Sequence, residues 1–411
     1  MKRYVDREAL DPGFRKEATF KKFRGLRNVV DEDRFESSDM ATAENINIDD
    51  SGKLLSRNGY LRKVTGAFHS LWAKDEICLF VKGAELHQLS DNLTTSQILR
   101  SDLTMGLRMS YQYDGGKVFF SNGRQTGICG VGGVRSWGIA PPTYQPLAVA
   151  GFGGLSAGTY AYALTYRRKD GQESGTGLSD SIILGDNGAI NFTSIPVSGD
   201  PDASNKIIYV SPPNGEMLYV AMVLPNSTTS AYYNGSSLST PLDTQFKTNP
   251  PAGQVLGMAA GIMYVAQKQW LYYSEPYNFD LFDLREYLPL DSEITMIAPV
   301  LDGLFVGTRK KIYFLRGLNP KTSAAEFKSD YGVIPGTMVM VHMDLLDAAG
   351  KVEDELIPVW VGEQGIVAGL SGGTLINLTQ KRYLIDGNAR EGAGLFRTEN
   401  GINQYLATLS K

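Results

Sequence analysis

The chain is short of the residues that carry most enzyme chemistry. Its 411 residues include only 2 Cys and 3 His, and 20% of them are charged. Cys78 and Cys129 each lie in an apolar, strand-like run, with no second Cys or His at metal-ligand spacing. Both read as buried thiols, and a chain without a disulfide framework fits folding in a reducing cytoplasm. His69, His87 and His342 stand at neither HxxxH nor HxH spacing, so nothing supports a zinc site or a His-based triad. The phosphate-loop pattern is missing, because Gly116-Lys117 runs into Val118 and Gly350-Lys351 into Val352. The glycine clusters Gly130 to Val134 and Gly151 to Gly154 lack the following helix that would hold a phosphate, and they read as turns or linkers. No cofactor is expected. The first residues, MKRYVDREALDPGF, contain no apolar signal-like stretch, and the run Val255 to Ala266 is too short to span a bilayer. No membrane insertion is expected either.

What the chain has is turn and strand material. With 45 Gly, 21 Tyr and 17 Phe it has an all-β profile, and strong helix is nearly absent. One hairpin pattern recurs, a short apolar strand, a turn and a second alternating strand. It appears at Ile77 to Leu89, Lys117 to Cys129, Ile262 to Ser274, Leu304 to Leu315, Ile366 to Leu378 and Leu395 to Leu409. The turns near residues 83, 123, 268, 309, 372 and 400 are spaced by 40, 145, 41, 63 and 28 residues. Two of these spacings match the roughly 40 to 45 residues of a four-stranded propeller blade. The long gap holds a second module between Pro141-Pro142 and Pro250-Pro251. There Tyr160, Tyr162, Leu164 and Tyr166 alternate with Ala161, Ala163 and Thr165, and several short strands follow, which suits a two-sheet sandwich. Tyr209 is expected to fill the same sandwich core.

These patterns predict an all-β fold, a β-propeller of five to six blades with an inserted immunoglobulin- or fibronectin-like β-sandwich. The expected parts are a basic arm (1–40), the first part of the propeller (41–142), the sandwich (143–245) and the second part of the propeller (246–411). N- and C-terminal strands are expected to close the ring, with Ile46 to Leu55 pairing with the C-terminal hairpin so that no sheet edge is left open.

Charge is distributed unevenly. Residues 1–28 carry nine Lys or Arg against four acids, about +5, which leaves about −9 on the rest of a chain whose net charge is −4. Lys21, Lys22, Arg24 and Arg27 are therefore candidate docking residues for an acidic partner. The turn Arg309-Lys310-Lys311 is a candidate channel or interface element that presents positive charge to phosphate or to an acidic subunit. The stretch Asn47 to Gly52 superficially follows a calcium loop, yet Asn58 stands where the bidentate Glu is required. The acid pairs Asp344 with Asp347 and Asp280 with Asp283 are candidates for glycosidase chemistry, weighed against plain solvated loop carboxylates. No catalytic, cofactor-binding or metal residues are assigned.

Two stretches carry a family resemblance. The segment from Gly25 to Tyr60, GLRNVVDEDRFESSDMATAENINIDDSGKLLSRNGY, resembles the opening of bacteriophage tail proteins related to nozzle and tail tubular ring components. The stretch Leu271 to Gly317 is similar to the same proteins, and Ala157 to Gly175 with Lys206 to Ala221 is similar to fibronectin type III modules inside phage structural proteins. The resemblance implies a structural, non-enzymatic virion protein, assembled in the host bacterial cytoplasm. It implies a homo-oligomeric ring, a hexamer being favoured, that contacts adaptor and tail fibre or needle proteins. Double-stranded DNA would pass through the lumen without sequence recognition. The alternatives are a carbohydrate-binding or glycan-cleaving propeller of the virion and a hub or tip ring of a long-tailed phage.

Overall fold

The computed structural model describes residues 22–49, 51–130, 132–235, 239–317, 319–346, 355–379, 381–385, 388–399 and 401–410. Lys21, Asp347 and most of the basic arm lie outside them. The chain enters through a short parallel pair, β1 (Gly25–Leu26) with β2 (Asp39–Met40), and a hairpin, β3 (Ile46–Ile48) with β4 (Leu54–Ser56). Blade 1 follows as β5 (Phe68–Lys74), β6 (Ile77–Lys82), β7 (Glu85–Leu89) and β8 (Ser96–Arg100), and blade 2 as β9 (Ser110–Asp114), β10 (Lys117–Ser121), β11 (Thr126–Gly130) and β12 (Gly133–Arg135). The next seven strands form the sandwich: β13 (Leu147–Leu155), β14 (Gly158–Arg168), β15 (Asp180–Leu184), β16 (Gly188–Thr193), β17 (Ala203–Val210), β18 (Tyr219–Pro225) and β19 (Ala231–Tyr233).

Blade 3 comprises β20 (Val255–Ala259), β21 (Ile262–Gln267), β22 (Trp270–Glu275) and β23 (Asn278–Pro289), and blade 4 β24 (Ile294–Val300), β25 (Gly303–Thr308), β26 (Ile312–Arg316) and β27 (Ala325–Ser329). Blade 5 holds β28 (Val339–His342), β29 (Leu356–Gly362), β30 (Gly365–Leu370) and β31 (Thr374–Asn377), and a final hairpin pairs β32 (Glu391–Glu399) with β33 (Ile402–Ser410). Each blade is a four-stranded antiparallel meander, and the recurring hairpins are the central strand pairs of blades 1 to 4, the outer pair β30-β31 of blade 5 and the final hairpin. The protein is an all-β propeller with an inserted sandwich.

Apolar alternation explains the stacking. A strand buried on both faces reads as a continuous apolar run, and successive side chains point to opposite sides. Phe120 packs with Leu79, Val81 and Leu86 of blade 1, whereas its neighbour Phe119 packs with Leu256, Met263 and Phe282 of blade 3. Val265 belongs to that second cluster, while Tyr264 joins Ile297, Leu304 and Val306 of blade 4. Phe305 in turn meets Trp360 of blade 5, and Val359 and Ile357 of blade 5 meet Phe396 and Tyr405 of the final hairpin. Tight turns keep the strands adjacent. Ala260 and Gly261, at φ +49° and +71°, make a two-residue turn between β20 and β21 whose handedness matches strand twist.

Polar groups make the closing seam. Arg108, between blades 1 and 2, donates to Gly392 O at 2.6 Å and to Gly336 O at 3.2 Å, bridging to the hairpin and to the loop entering blade 5. In place of backbone pairing between Ile46–Leu55 and the hairpin, β3 and β4 pair only with each other, and side chains together with the backbone bond from Asn28 N to Arg382 O (3.1 Å) hold the two ends. Asn58 Nδ2 donates to Glu399 Oε1 (3.0 Å), and Asn28 exchanges side-chain hydrogen bonds with Leu384 at 2.8 and 2.7 Å. Strands of three residues offer few ladder groups, and the Asp49 carboxylate closes their turn by accepting from Ser51 and Lys53.

The sandwich stacks the sheet β13-β16-β19 on the sheet β15-β14-β17-β18. Tyr160, Tyr162, Leu164 and Tyr166 fill the space between them with Ile190, Phe192, Ile208 and Val210. Tyr209 is a correction to the sequence reading. It faces away from that core, with Ala163, Ile207 and Leu218. The apolar run of β17 is buried on both sides, so parity alone did not give its direction. Cys129 is buried but Cys78 only half-buried, and burial pushes both thiols up.

Lys206 is fully buried in the sandwich and donates to Pro196 O (2.6 Å) and Thr228 O (2.9 Å). Burial pushes its ammonium down to about 8. Between about pH 8 and 10.5 the unfolded chain therefore binds more protons at this residue than the native chain, so its contribution to stability rises with pH. The melting temperature of the wild type is expected to rise relative to that of Lys206→Met as the pH crosses that window. A constant gap between the two proteins would remove the effect from Lys206.

Candidate functional site

The segment joining blade 2 to the sandwich is spliced into both. Trp137 enters the core between blades 2 and 3 and donates from Nε1 to Phe279 O at 2.9 Å, whereas Ile139, two residues on, enters the sandwich core. Gly138 between them has φ +74°, and a Cβ there would sit 2.8 Å from Asp280 O and from Pro250 Cδ, so the position demands glycine. Arg168, at the end of β14 and with a side chain only 1% exposed, clamps the joint. Its guanidinium pairs with Asp200 at 2.5 Å and donates to Ser136 Oγ (2.7 Å), Ser136 O (3.1 Å), Gly138 O (3.2 Å) and Gln172 Oε1 (2.8 Å).

One partner of this clamp, Gln172, also lines a cleft of about 470 Å³ between the sandwich and the blades, together with Lys117, Arg135, Glu173, Thr244 and Asp280 among others. Its chemistry is almost wholly polar. Burial opposes it, but the hydrogen bond from Arg135 (2.8 Å) holds the Asp170 carboxyl below its ordinary range. Burial pushes the Glu173 carboxyl up, although it accepts from Thr165 (2.6 Å) and Tyr209 (2.7 Å). The Asp280 carboxyl is also raised by burial, against the pull of Arg135, Arg168 and Lys117. Three of the lining residues have a buried side-chain atom without a hydrogen-bond partner among the described residues: Asp280 Oδ1, Gln172 Nε2 and Thr244 Oγ1. Sequence reasoning had singled out only Asp280 of these.

The other residues chosen from the sequence fall elsewhere. Lys22 is exposed, with its stem against Gly52, and Arg24 forms an exposed pair with Glu36 at 2.9 Å. Arg27 pairs with the buried Asp39 at 2.9 Å, and Arg382 reaches the same carboxylate, so Arg27 holds the fold together. In the blade 4 turn, Arg309 pairs with Glu293 (2.6 Å) and Lys311 with Asp291 (3.1 Å). Lys310 is left as the one cation of that turn without a carboxylate partner among the described residues. Asp283 is gripped by Arg285 at 2.8 and 2.6 Å and does not share a site with Asp280. His87 is held between Glu85 (3.0 Å) and Ser96 (3.1 Å) and stacks on Phe80. Among the described residues no group of three or more metal-ligating side chains converges, and no helix is long and apolar enough to cross a membrane.

No family model and no curated protein matches the chain. Solved structures similar to it include the AfRom2 CNH domain, at 9% identity and TM-score 0.26 over 77% of this chain and 82% of that one. Porphyromonas gingivalis dipeptidyl peptidase 4 is 10% identical at TM-score 0.26, over 83% and 46% of the two chains. Saccharomyces cerevisiae Sqt1 is 11% identical at TM-score 0.21, over 71% and 91%. At TM-scores this low the overlays carry no argument about function, and the fold stands on the sheet order described above.

Proposed function

We propose that the chain is a structural subunit of a bacteriophage tail, several copies of which form a ring that conducts and retains DNA. The observation that carries the multicopy reading is the outer face of the sheet β13-β16-β19. Register places Leu147, Val149 and Gly151 beside Thr193, Asn191 and Ala189, with Tyr232 beyond Asn191, and none of these is charged. Leu147, Val149 and Tyr232 are 61%, 56% and 53% exposed, and Phe152, at the bulge of β13, is 95% exposed. An apolar sheet face of this kind is stabilised by being covered, and a neighbouring copy in a cyclic assembly covers it once per subunit. The tail assignment rests on the resemblance of Gly25 to Tyr60 and of Leu271 to Gly317, the latter spanning the packed seam of blades 3 and 4.

Charge supports a conduit for DNA. The turn Arg309-Lys310-Lys311 is largely neutralised by Glu293 and Asp291, so the body keeps its acidic excess and repels phosphate. Lys22 remains available to an adaptor, fibre or needle component, whereas Arg24 would have to leave Glu36 to reach one, and hexameric copy number is part of the proposal. The combined variant Leu147→Lys and Val149→Lys is expected to keep the wild-type melting temperature but run as a monomer in light scattering. Wild-type chain is expected to give rings by negative-stain microscopy and to be present in many copies in purified virions. A wild-type monomer at all concentrations, or virions lacking the chain, would overturn the proposal. The second reading, a carbohydrate-handling virion propeller, is favoured by the cleft.

A further inference from the structure

We propose that residues 59–67, which run from the N-terminal hairpin to blade 1, are a strap that docks on the apolar face of the sheet β13-β16-β19 of a neighbouring copy, with Tyr60, Leu61 and Val64 as its anchors. The contact rests on the multicopy reading and deepens it by naming what covers the face. Every residue of the strap is exposed, Tyr60 by 68%, Leu61 by 79% and Val64 by 43%. Among the described residues the strap makes no hydrogen bond and no ion pair, and the one side-chain contact is Arg57 over the Tyr60 ring at 5.3 Å. Single exposed apolar residues are ordinary, but three within five positions, with nothing of their own chain against them, mark a contact surface.

Strap and face match in length, shape and charge. In an extended chain Tyr60 and Val64 stand about 13 Å apart, and the face measures about 17 Å from Leu147 to Phe152 along β13 and about 10 Å across its three strands. Tyr232 Oη donates to Phe152 O at 2.7 Å, so the Tyr232 ring already reaches across β16 and little ordering is left to the moment of docking. The face carries no charge, but Asp186 stands exposed in the turn before β16, at the Phe152 end, where it accepts from Ala157 N (3.2 Å). Arg62 and Lys63 of the strap, which have no carboxylate partner among the described residues, complement it. Strap and face are different surfaces of one chain, so each copy offers one of each and the contact runs head to tail, as a ring of more than two copies requires. Two faces meeting each other would give a two-fold dimer and leave Tyr60 and Leu61 in solvent.

The test mixes two defective full-length chains. Leu147→Lys with Val149→Lys spoils the face and keeps the strap, and Tyr60→Glu with Leu61→Glu spoils the strap and keeps the face. Each is expected to melt at the wild-type temperature and to run as a single copy in light scattering, at a concentration at which the wild type assembles. Mixed one to one, they are expected to give a species of two copies and nothing larger, because one intact strap meets one intact face and both remaining ends are spoiled. Should the glutamates disturb folding, Tyr60→Ser with Leu61→Ser reads the same contact. A folded strap variant that assembles like the wild type, or a mixture of folded variants that stays at one copy, overturns the strap and leaves the multicopy reading standing. A wild type that is monomeric at every concentration overturns both.

Discussion

A chain lacking the hairpin Glu391–Ser410 is expected to lose its cooperative melting transition and to bind hydrophobic dyes or aggregate on expression. The deletion removes Phe396 and Tyr405 from the cluster they share with Val341, Ile357 and Val359. It also removes the bond from Tyr405 Oη to Thr337 O (2.5 Å) and the backbone bonds Gly392 N to Pro335 O (2.9 Å) and Gly394 N to Gly336 O (3.1 Å). Arg108 loses its acceptor on Gly392. Burying one large apolar side chain contributes roughly 1.5–3 kcal/mol, and a buried hydrogen bond about 1 kcal/mol. Two rings and several bonds together match much of the roughly 5–15 kcal/mol that separates a native domain from its unfolded state. A truncated protein that melts cooperatively at the wild-type temperature would show that the five blades stand without closure.

Replacing Arg168 by Met is expected to be the most damaging single substitution in the chain's interior. Asp200 would keep its charge with its guanidinium gone, and the carbonyls of Ser136 and Gly138 would lose a donor. Breaking one half of a buried ion pair costs about 3–5 kcal/mol. The loss should be local before it is global. Limited proteolysis is expected to cut within residues 136–146 and 241–254 while the sandwich core stays protected. The double variant Arg168→Met with Asp200→Asn should recover part of the loss, because the uncompensated charge is removed as well. A single variant with wild-type melting and proteolysis would mean that Trp137 and Ile139 hold the joint without help.

The blades were legible because they are written in local pattern. Phe119-Phe120 and Tyr264-Val265 are adjacent apolar pairs next to a turn, and such a pair feeds two cores only if sheets stack on both sides. Paired prolines and a change of strand spacing marked the insert for the same reason. The cleft was not legible. Its walls come from residues as far apart as Lys117 and Leu281, each of which reads in isolation as an ordinary polar loop or strand residue. The pairing of Arg27 was not legible for a similar reason. Its partner Asp39 lies 12 residues away, and the second cation on that carboxylate, Arg382, is 343 residues from it. A basic cluster shows in sequence, but whether its members are already neutralised depends on partners that only the fold brings close.

The insertion of the sandwich between blades 2 and 3 has a bearing on synthesis. Arg108 leaves the ribosome with blade 1, yet its acceptors Gly336 and Gly392 come 228 and 284 residues later. At about 5–20 residues per second, roughly 15 to 60 seconds separate blade 1 from the hairpin that meets it. Until blade 3 emerges, blade 2 exposes the Phe119 face that blade 3 will cover, and Arg108 waits longer still for the hairpin, while the sandwich, complete within one continuous stretch, is free to fold. The nascent chain is thus a finished module flanked by an open half-ring, and the half-ring is the part that needs chaperone protection.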